Sequence, residues 1–292
     1  MNRKINLLAG AVLAASVGTA SALPVTFQDD NLDFHLDSNL LPTSGPLQDG
    51  DVLLAVLEYN NFQGTPIGPD KELTGIAVIQ ASITPGGFSF TPYAGGLNSV
   101  PGVSVTGGAA GEGAMLALWE DTTPDLNVDA SLVTTGTGLS CSTLAECITQ
   151  ATDGTLFLTA GFAAGDNSYW DAFGTPLLAN PDLVLLEPVA DIEGFFNAGL
   201  SILDVGISGA TDDERLSGDY GPVDLLLNGT VNGGGFDQWG NTTQRDSLVA
   251  DGFVATTDTD MQIDIPSPAP LALMGLAGLL GFGGLKRRRK AA

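Results

Sequence analysis

The sequence predicts a mostly β protein: one antiparallel β-sandwich or jelly-roll-like ectodomain over residues 23–265, preceded by a cleaved signal helix and followed by a short transmembrane helix. Three observations lead there. Short apolar runs rich in Val, Ile, Leu and Phe recur along the body, and Asp-Gly or Asn-Gly pairs that suit tight turns punctuate them. All 34 acidic residues fall between the two termini, where only Lys71, Arg215 and Arg245 oppose them, so this region carries an acidic, self-repelling, soluble surface. High net charge also marks disorder, but 43% apolar residues is too many for a disordered chain, which decides for a folded domain.

Residues 1–22 read as a secretory signal. Arg3 and Lys4 form a basic start, Ile5 to Val17 an apolar stretch, and Ala20-Ser21-Ala22 a small-x-small cleavage site, so the mature chain begins at Leu23. The apolar stretch is shorter than the roughly 20 residues that span a bilayer, which argues for cleavage by signal peptidase after export through the Sec machinery.

Strands are expected, in order, over Asp51–Tyr59, Thr74–Ile83, Gly87–Thr91, Ala114–Glu120, Thr155–Ala160, Asp182–Glu187, Val223–Val231, Phe253–Thr257 and the alternating Met261–Ile265. Helix is scarce. One short helix is expected after Cys141, because Thr143 and Glu146 stand at capping-box spacing; Val189–Gly199 is a second helical candidate. That first helix would bring Cys141 and Cys147 together, and in an oxidising compartment they would form a disulfide. A loop this small is worth about 2 kcal/mol in the chain-entropy view, enough to pin a turn and too little to hold the fold together. A zinc or redox site is disfavoured by the spacing and by the lack of any other cysteine.

The end of the chain differs in kind. Pro266, Pro268 and Pro270 keep the backbone extended, residues 271–285 are uncharged, and Lys286, Arg287, Arg288, Arg289 and Lys290 follow as a basic block. A 15-residue helix is about 22 Å long, short of the ~30 Å hydrocarbon core, and a membrane accommodates it by thinning and by snorkelling cations. The basic block holds to the cytoplasmic side and leaves the acidic body outside.

This order of proline motif, short Leu/Gly/Ala-rich helix and terminal basic cluster resembles the PEP-CTERM sorting signal. Ile265, Pro266, Ser267 and Pro268 fill the places of the family's Val-Pro-Glu-Pro motif, with Ser267 standing where the family usually has Glu; Leu271, Ala272, Leu273 and Gly275 match the run beyond. The resemblance covers only the tail, residues 266–292. It implies an exosortase-type membrane transpeptidase as partner, cleavage near Pro266–Pro268, transient anchoring in the inner membrane of a Gram-negative bacterium, and delivery to the cell surface or exopolysaccharide matrix.

For the body the sequence mainly excludes. The charge of −24 rules against nucleic-acid binding, and no GxSxG, HExxH, P-loop or GxGxxG motif is present. His35, between Asp33 and Asp37, admits a metal or general-base role, but a lone strand histidine of this kind is more often solvated. Paired carboxylates for glycoside hydrolysis are arithmetically available among so many acids, which makes their presence uninformative. No cofactor is assigned. Ca²⁺ is left open by the oxygen-rich stretches at residues 29–39, 165–171, 211–214 and 257–264, with Asp258, Asp260 and Asp264 as candidate ligands; a solvated acidic face is the simpler account of each. Trp119, Trp170 and Trp239 are candidate sugar platforms. The expectation is therefore a non-catalytic surface or matrix protein, with a carbohydrate-active enzyme or a calcium-dependent carbohydrate-binding or adhesive module as alternatives.

Overall fold

Residue alternation in the apolar runs sorts side chains onto two faces, and in the computed structural model both faces of much of the sheet are covered. The structure describes residues 23–43, 47–62, 65–66, 70–84, 87–105, 113–128, 139–174, 192–208, 216–233 and 242–265. Among them the strands are β1 (Leu23–Leu36), β2 (Val52–Phe62), β3 (Thr65–Pro66), β4 (Glu72–Thr84), β5 (Gly87–Pro92), β6 (Ala114–Asp121), β7 (Thr155–Gly161), β8 (Tyr169–Gly174), β9 (Ile192–Asp204), β10 (Leu216–Gly218), β11 (Gly221–Val223), β12 (Leu225–Gly233) and β13 (Phe253–Ile265). Two helices accompany them, α1 (Leu144–Ala151) and α2 (Thr242–Ala250). The mostly β expectation holds. The signal segment, the proline motif at Pro266–Pro268, the apolar run 271–285, the basic block and the strand expected at Asp182–Glu187 lie outside the described residues; among those described, no helix is long and apolar enough to cross a membrane.

Eleven strands form one large antiparallel sheet in the order β3-β2-β1-β13-β12-β9-β7-β6-β4-β5-β8, and further pairings of β2 with β4 and of β9 with β8 close it on itself. Closure leaves few free edges to template aggregation. The two long strands β4 and β9 each serve two partners along one side. Glu72–Ala77 of β4 pairs with β6 and Ile79–Thr84 with β5, while Gly194–Gly199 of β9 pairs with β8 and Ser201–Asp204 with β7. The gap between β4 and β9 is thus filled by β6–β7 at one end and β5–β8 at the other. Where β7 meets the start of β6 the backbones crowd so closely that a Cβ at Gly161 would lie 1.9 Å from the Gly113 carbonyl oxygen, so only glycine fits.

The inward face carries Leu53, Leu57, Ile79, Phe88, Phe90, Trp170 and Phe196 around a partly open cavity of about 110 Å³. The opposite face of β1, β2, β4 and β6 carries Phe34, Leu54, Val56, Ile76, Val78 and Trp119, which pack under Leu97, Val100, Leu126, Ile148, Leu248 and the two cysteines as a second apolar core. Strands buried on both faces need apolar residues at consecutive positions, which is why "VLLAVL" and "GIAVI" do not alternate. Full burial of each large side chain contributes about 1.5–3 kcal/mol.

Helix α1 begins as its sequence demands: the Thr143 hydroxyl accepts from the Glu146 backbone N–H at 3.2 Å, and the Glu146 carboxylate accepts from Ser142 N–H at 2.7 Å. Cys141 and Cys147 are joined by a disulfide and are fully buried. Gln244 of α2 fastens the same segment, donating to the carbonyls of Leu139 and Cys141 at 2.8 and 2.7 Å. One expectation is overturned: Ile192–Asp204, overlapping the helical candidate at 189–199, is strand β9. Phe196, Ala198, Leu200 and Ile202 bury at every second position, and Gly194 and Gly199 weaken any helix there, so the period of two prevails.

Candidate functional site

Strand register, not sequence proximity, assembles the most chemically distinctive cluster. Glu72 at the start of β4 stands opposite Asp121 at the end of β6. The chain then bends at Thr122 and Thr123 and passes Asp125, while β7, paired to β6 through Glu120 and Thr155, brings in Asp153 from the turn before it. Gly154 permits this approach, because a Cβ there would lie 2.6 Å from the Glu120 carbonyl oxygen. One oxygen from each of Glu72, Asp121, Asp125 and Asp153 falls within 4.8 Å of all the others.

Glu72 is the unusual member. Its side chain is only 5% exposed, one carboxylate oxygen accepts from the backbone N–H of Leu126 at 3.3 Å, and Oε1 is buried without a hydrogen-bond partner. Burial, opposed by backbone hydrogen bonds and aided by the charge of Asp125, raises its pKa to about 7. Asp125 and Asp153 are raised as well, each first by desolvation and then by neighbouring carboxylates. The nearest cation in sequence, Lys71, is engaged by Glu120 at 2.6 Å. Four hard oxygen donors with no His or Cys suit a hard cation and offer no soft-metal or thiol chemistry.

A second polar feature sits in the partly open cavity. Asp33 of β1 faces a lining that is otherwise almost wholly apolar, accompanied by Asn31, Thr257 and Thr259. Asn31 Nδ2 donates to the hydroxyls of Thr257 and Thr259 at 2.7 Å each. Asp33 receives a hydrogen bond from Thr257, but its Oδ2 is buried without a partner, and desolvation raises its pKa to about 7.

His35 is not solvated: it is 1% exposed, and its partner is Asp51, whose Oδ2 lies 2.8 Å from Nε2, not Asp33 or Asp37. Burial follows from the position of His35 where β1 ends beneath the turn at Gly252, whose carbonyl accepts from the His35 N–H at 2.8 Å. Asp37 instead organises a turn, accepting from the backbone N–H groups of Asn39 and Leu41, which lower its pKa. Asp258, Asp260 and Asp264 lie along β13; Asp258 is exposed, with its pKa raised by desolvation and by Asp260. Among the described residues no group of three or more metal-ligating side chains gathers around them. Trp119 and Trp170 are buried at 3% and 7% exposure, the latter stacked on Phe196, so neither presents a ring to solvent. Trp239, Ala20, Ala22 and residues 211–214 lie outside the described residues.

No protein-family model, curated protein or solved structure matches this chain. The cluster at Glu72 was missed in sequence because its members are spread over 82 positions of chain, from 72 to 153, and meet only through the β4–β6–β7 pairings. Its one local trace is Asp121 and Asp125 flanking Pro124, followed later by the Asp153-Gly154 turn.

Proposed function

We propose that this chain is an exported, non-catalytic surface or extracellular-matrix protein whose acidic, sandwich-like β domain is delivered by an exosortase-type system and associates with exopolysaccharide or biofilm. Residues 1–22 are removed on export, residues 271–285 form a short membrane helix, and a membrane transpeptidase cuts near Pro266–Pro268. The observation that carries this is the order of segments in the tail: extended proline motif, uncharged run, five consecutive cations. The buried disulfide Cys141–Cys147 supports it, since such bridges persist in oxidising compartments. So does the acidic surface, which disfavours adhesion to anionic lipid or nucleic acid and favours solubility outside the cell.

The test is fractionation of the producing cells with wild-type protein and with Pro266→Ala/Pro268→Ala. The variant should be retained with the membrane while the wild type reaches surface and medium. An unchanged distribution would remove the sorting assignment. Turnover of host polysaccharide by the purified protein, lost on Glu72→Gln, would remove the non-catalytic one.

A further inference from the structure

We infer that Glu72, Asp121, Asp125 and Asp153 form a Ca²⁺ site that clasps the ends of β4, β6 and β7 and that the domain uses to complete its fold outside the cell.

Four carboxylates close together are not by themselves a site, because acids crowd this whole surface. Glu72 is what distinguishes this group. A strand residue at a position 95% shielded from solvent would ordinarily be apolar, yet here a carboxylate is buried as a member of the cluster, with its Oε1 left without any hydrogen-bond donor. Its other oxygen accepts from the Leu126 N–H, fixing the head group and shaping the loop that presents Asp125. A buried anionic oxygen that faces three more anions is costly unless a cation sits between them.

The donor type and placement select the cation. Ca²⁺ binds oxygen at about 2.3–2.6 Å in flexible geometry, and its ligand shell accommodates a set lying within 4.8 Å. Mg²⁺ requires about 2.0–2.1 Å and near-ideal octahedral placement, which mixed donors from one strand start, one strand end and two turns supply poorly. Zn²⁺ structural sites use His or Cys, and the cluster has neither. The four donors leave room for water to complete six to eight ligands, since Asp125 and Asp153 are exposed. The exposed half of the site gives exchange with the medium; extracellular modules of this kind bind with Kd of about 10⁻⁴–10⁻³ M.

The test is thermal unfolding of the full-length chain in detergent, at fixed ionic strength, with EDTA, with CaCl₂ and with MgCl₂. Wild type should gain about 5–10 °C at about 10 mM Ca²⁺ if Kd is about 10⁻⁴ M, and much less with Mg²⁺. Glu72→Gln should lose that gain while unfolding no earlier than wild type in EDTA, because it removes a buried charge. Asp153→Asn, at an exposed turn where folding is not at risk, should lose most of it too, and Asp258→Asn/Asp260→Asn should keep it. No response in the wild type overturns the inference. So does an equal response in Glu72→Gln and Asp153→Asn, which would mark diffuse screening of the acidic surface, or a response lost only in the Asp258/Asp260 variant.

Discussion

Replacing Asp33 by Asn should stabilise this protein at neutral and alkaline pH while changing little in acid. The Asp33 carboxyl sits in the apolar interior with only Thr257 as donor, and burial lifts its pKa from 3.8 to about 7. A carboxyl with a raised folded-state pKa is held in its protonated form below 3.8 at no cost. As pH climbs from 3.8 toward 7 the unfolded chain releases this proton and the folded one retains it, so folding becomes progressively less favourable, and the loss is complete above 7. At about 1.4 kcal/mol per pKa unit, the rise from 3.8 to about 7 amounts to about 4 kcal/mol, more than half of which develops between pH 5 and pH 8. Asn keeps the shape and an acceptor for Thr257 but has no charge to desolvate. Urea unfolding at pH 5, 6, 7 and 8 reads the difference, and taking wild type against variant cancels the other acids, including Glu72. The expected result is a stability advantage for Asp33→Asn that grows with pH over this window and then levels off. An advantage independent of pH, or one that shrinks as pH rises, would refute the assignment of Asp33 as a buried, mostly desolvated acid.

Three further outcomes follow from packing and covalent structure. Cys141→Ser/Cys147→Ser should cost about 2 kcal/mol in urea unfolding while the β far-UV signature is retained, since the bridge closes a short loop within the outer core; failure to fold would give it a larger role than its span allows. Ala172→Val, pointing into the 110 Å³ cavity, should raise stability by about 0.5–2 kcal/mol, and a loss of more than that would mean the cavity is not free to be filled. Gly154→Ala places a methyl against the Glu120 carbonyl and should push Asp153 away from its neighbours, weakening the Ca²⁺ response at least about tenfold without removing a carboxylate, as read by the same thermal titration.

The fold was legible where a strand's environment writes itself into local pattern. β2 and β4 announced themselves as unbroken apolar runs because both faces are buried, and the 261–265 alternation marked the end of β13. Thr143 and Glu146 located α1 through a capping pattern that needs only three residues of context. β9 was harder. Its glycines and paired phenylalanines obscure the period, and its partners β7, β8 and β12 enforce the extended form. Sheet closure, with β4 and β9 each shared between two neighbours, is a property of pairing over long separations and leaves no local trace.

The site was less legible for the same reason. Acid-rich stretches drew attention to Asp258 and Asp260, which lie two apart on one strand, whereas the tight cluster draws single acids from four separate places. His35 was misjudged because Asp33 and Asp37, the acids beside it in sequence, do not pair with it, whereas the acid that does, Asp51, lies 16 positions away just before the start of the neighbouring strand. Asp33, with its buried Oδ2, and Glu72 look in sequence like any other of the 34 acids; the shielding of their carboxyl oxygens alone sets them apart.

The most direct test of the central claim is mass-spectrometric mapping of both termini on protein recovered from the native cell surface and medium. The account predicts a chain that begins at Leu23 and ends near Pro266–Pro268, with the basic block at 286–290 gone. A surface form that still ends at Ala292 would contradict it.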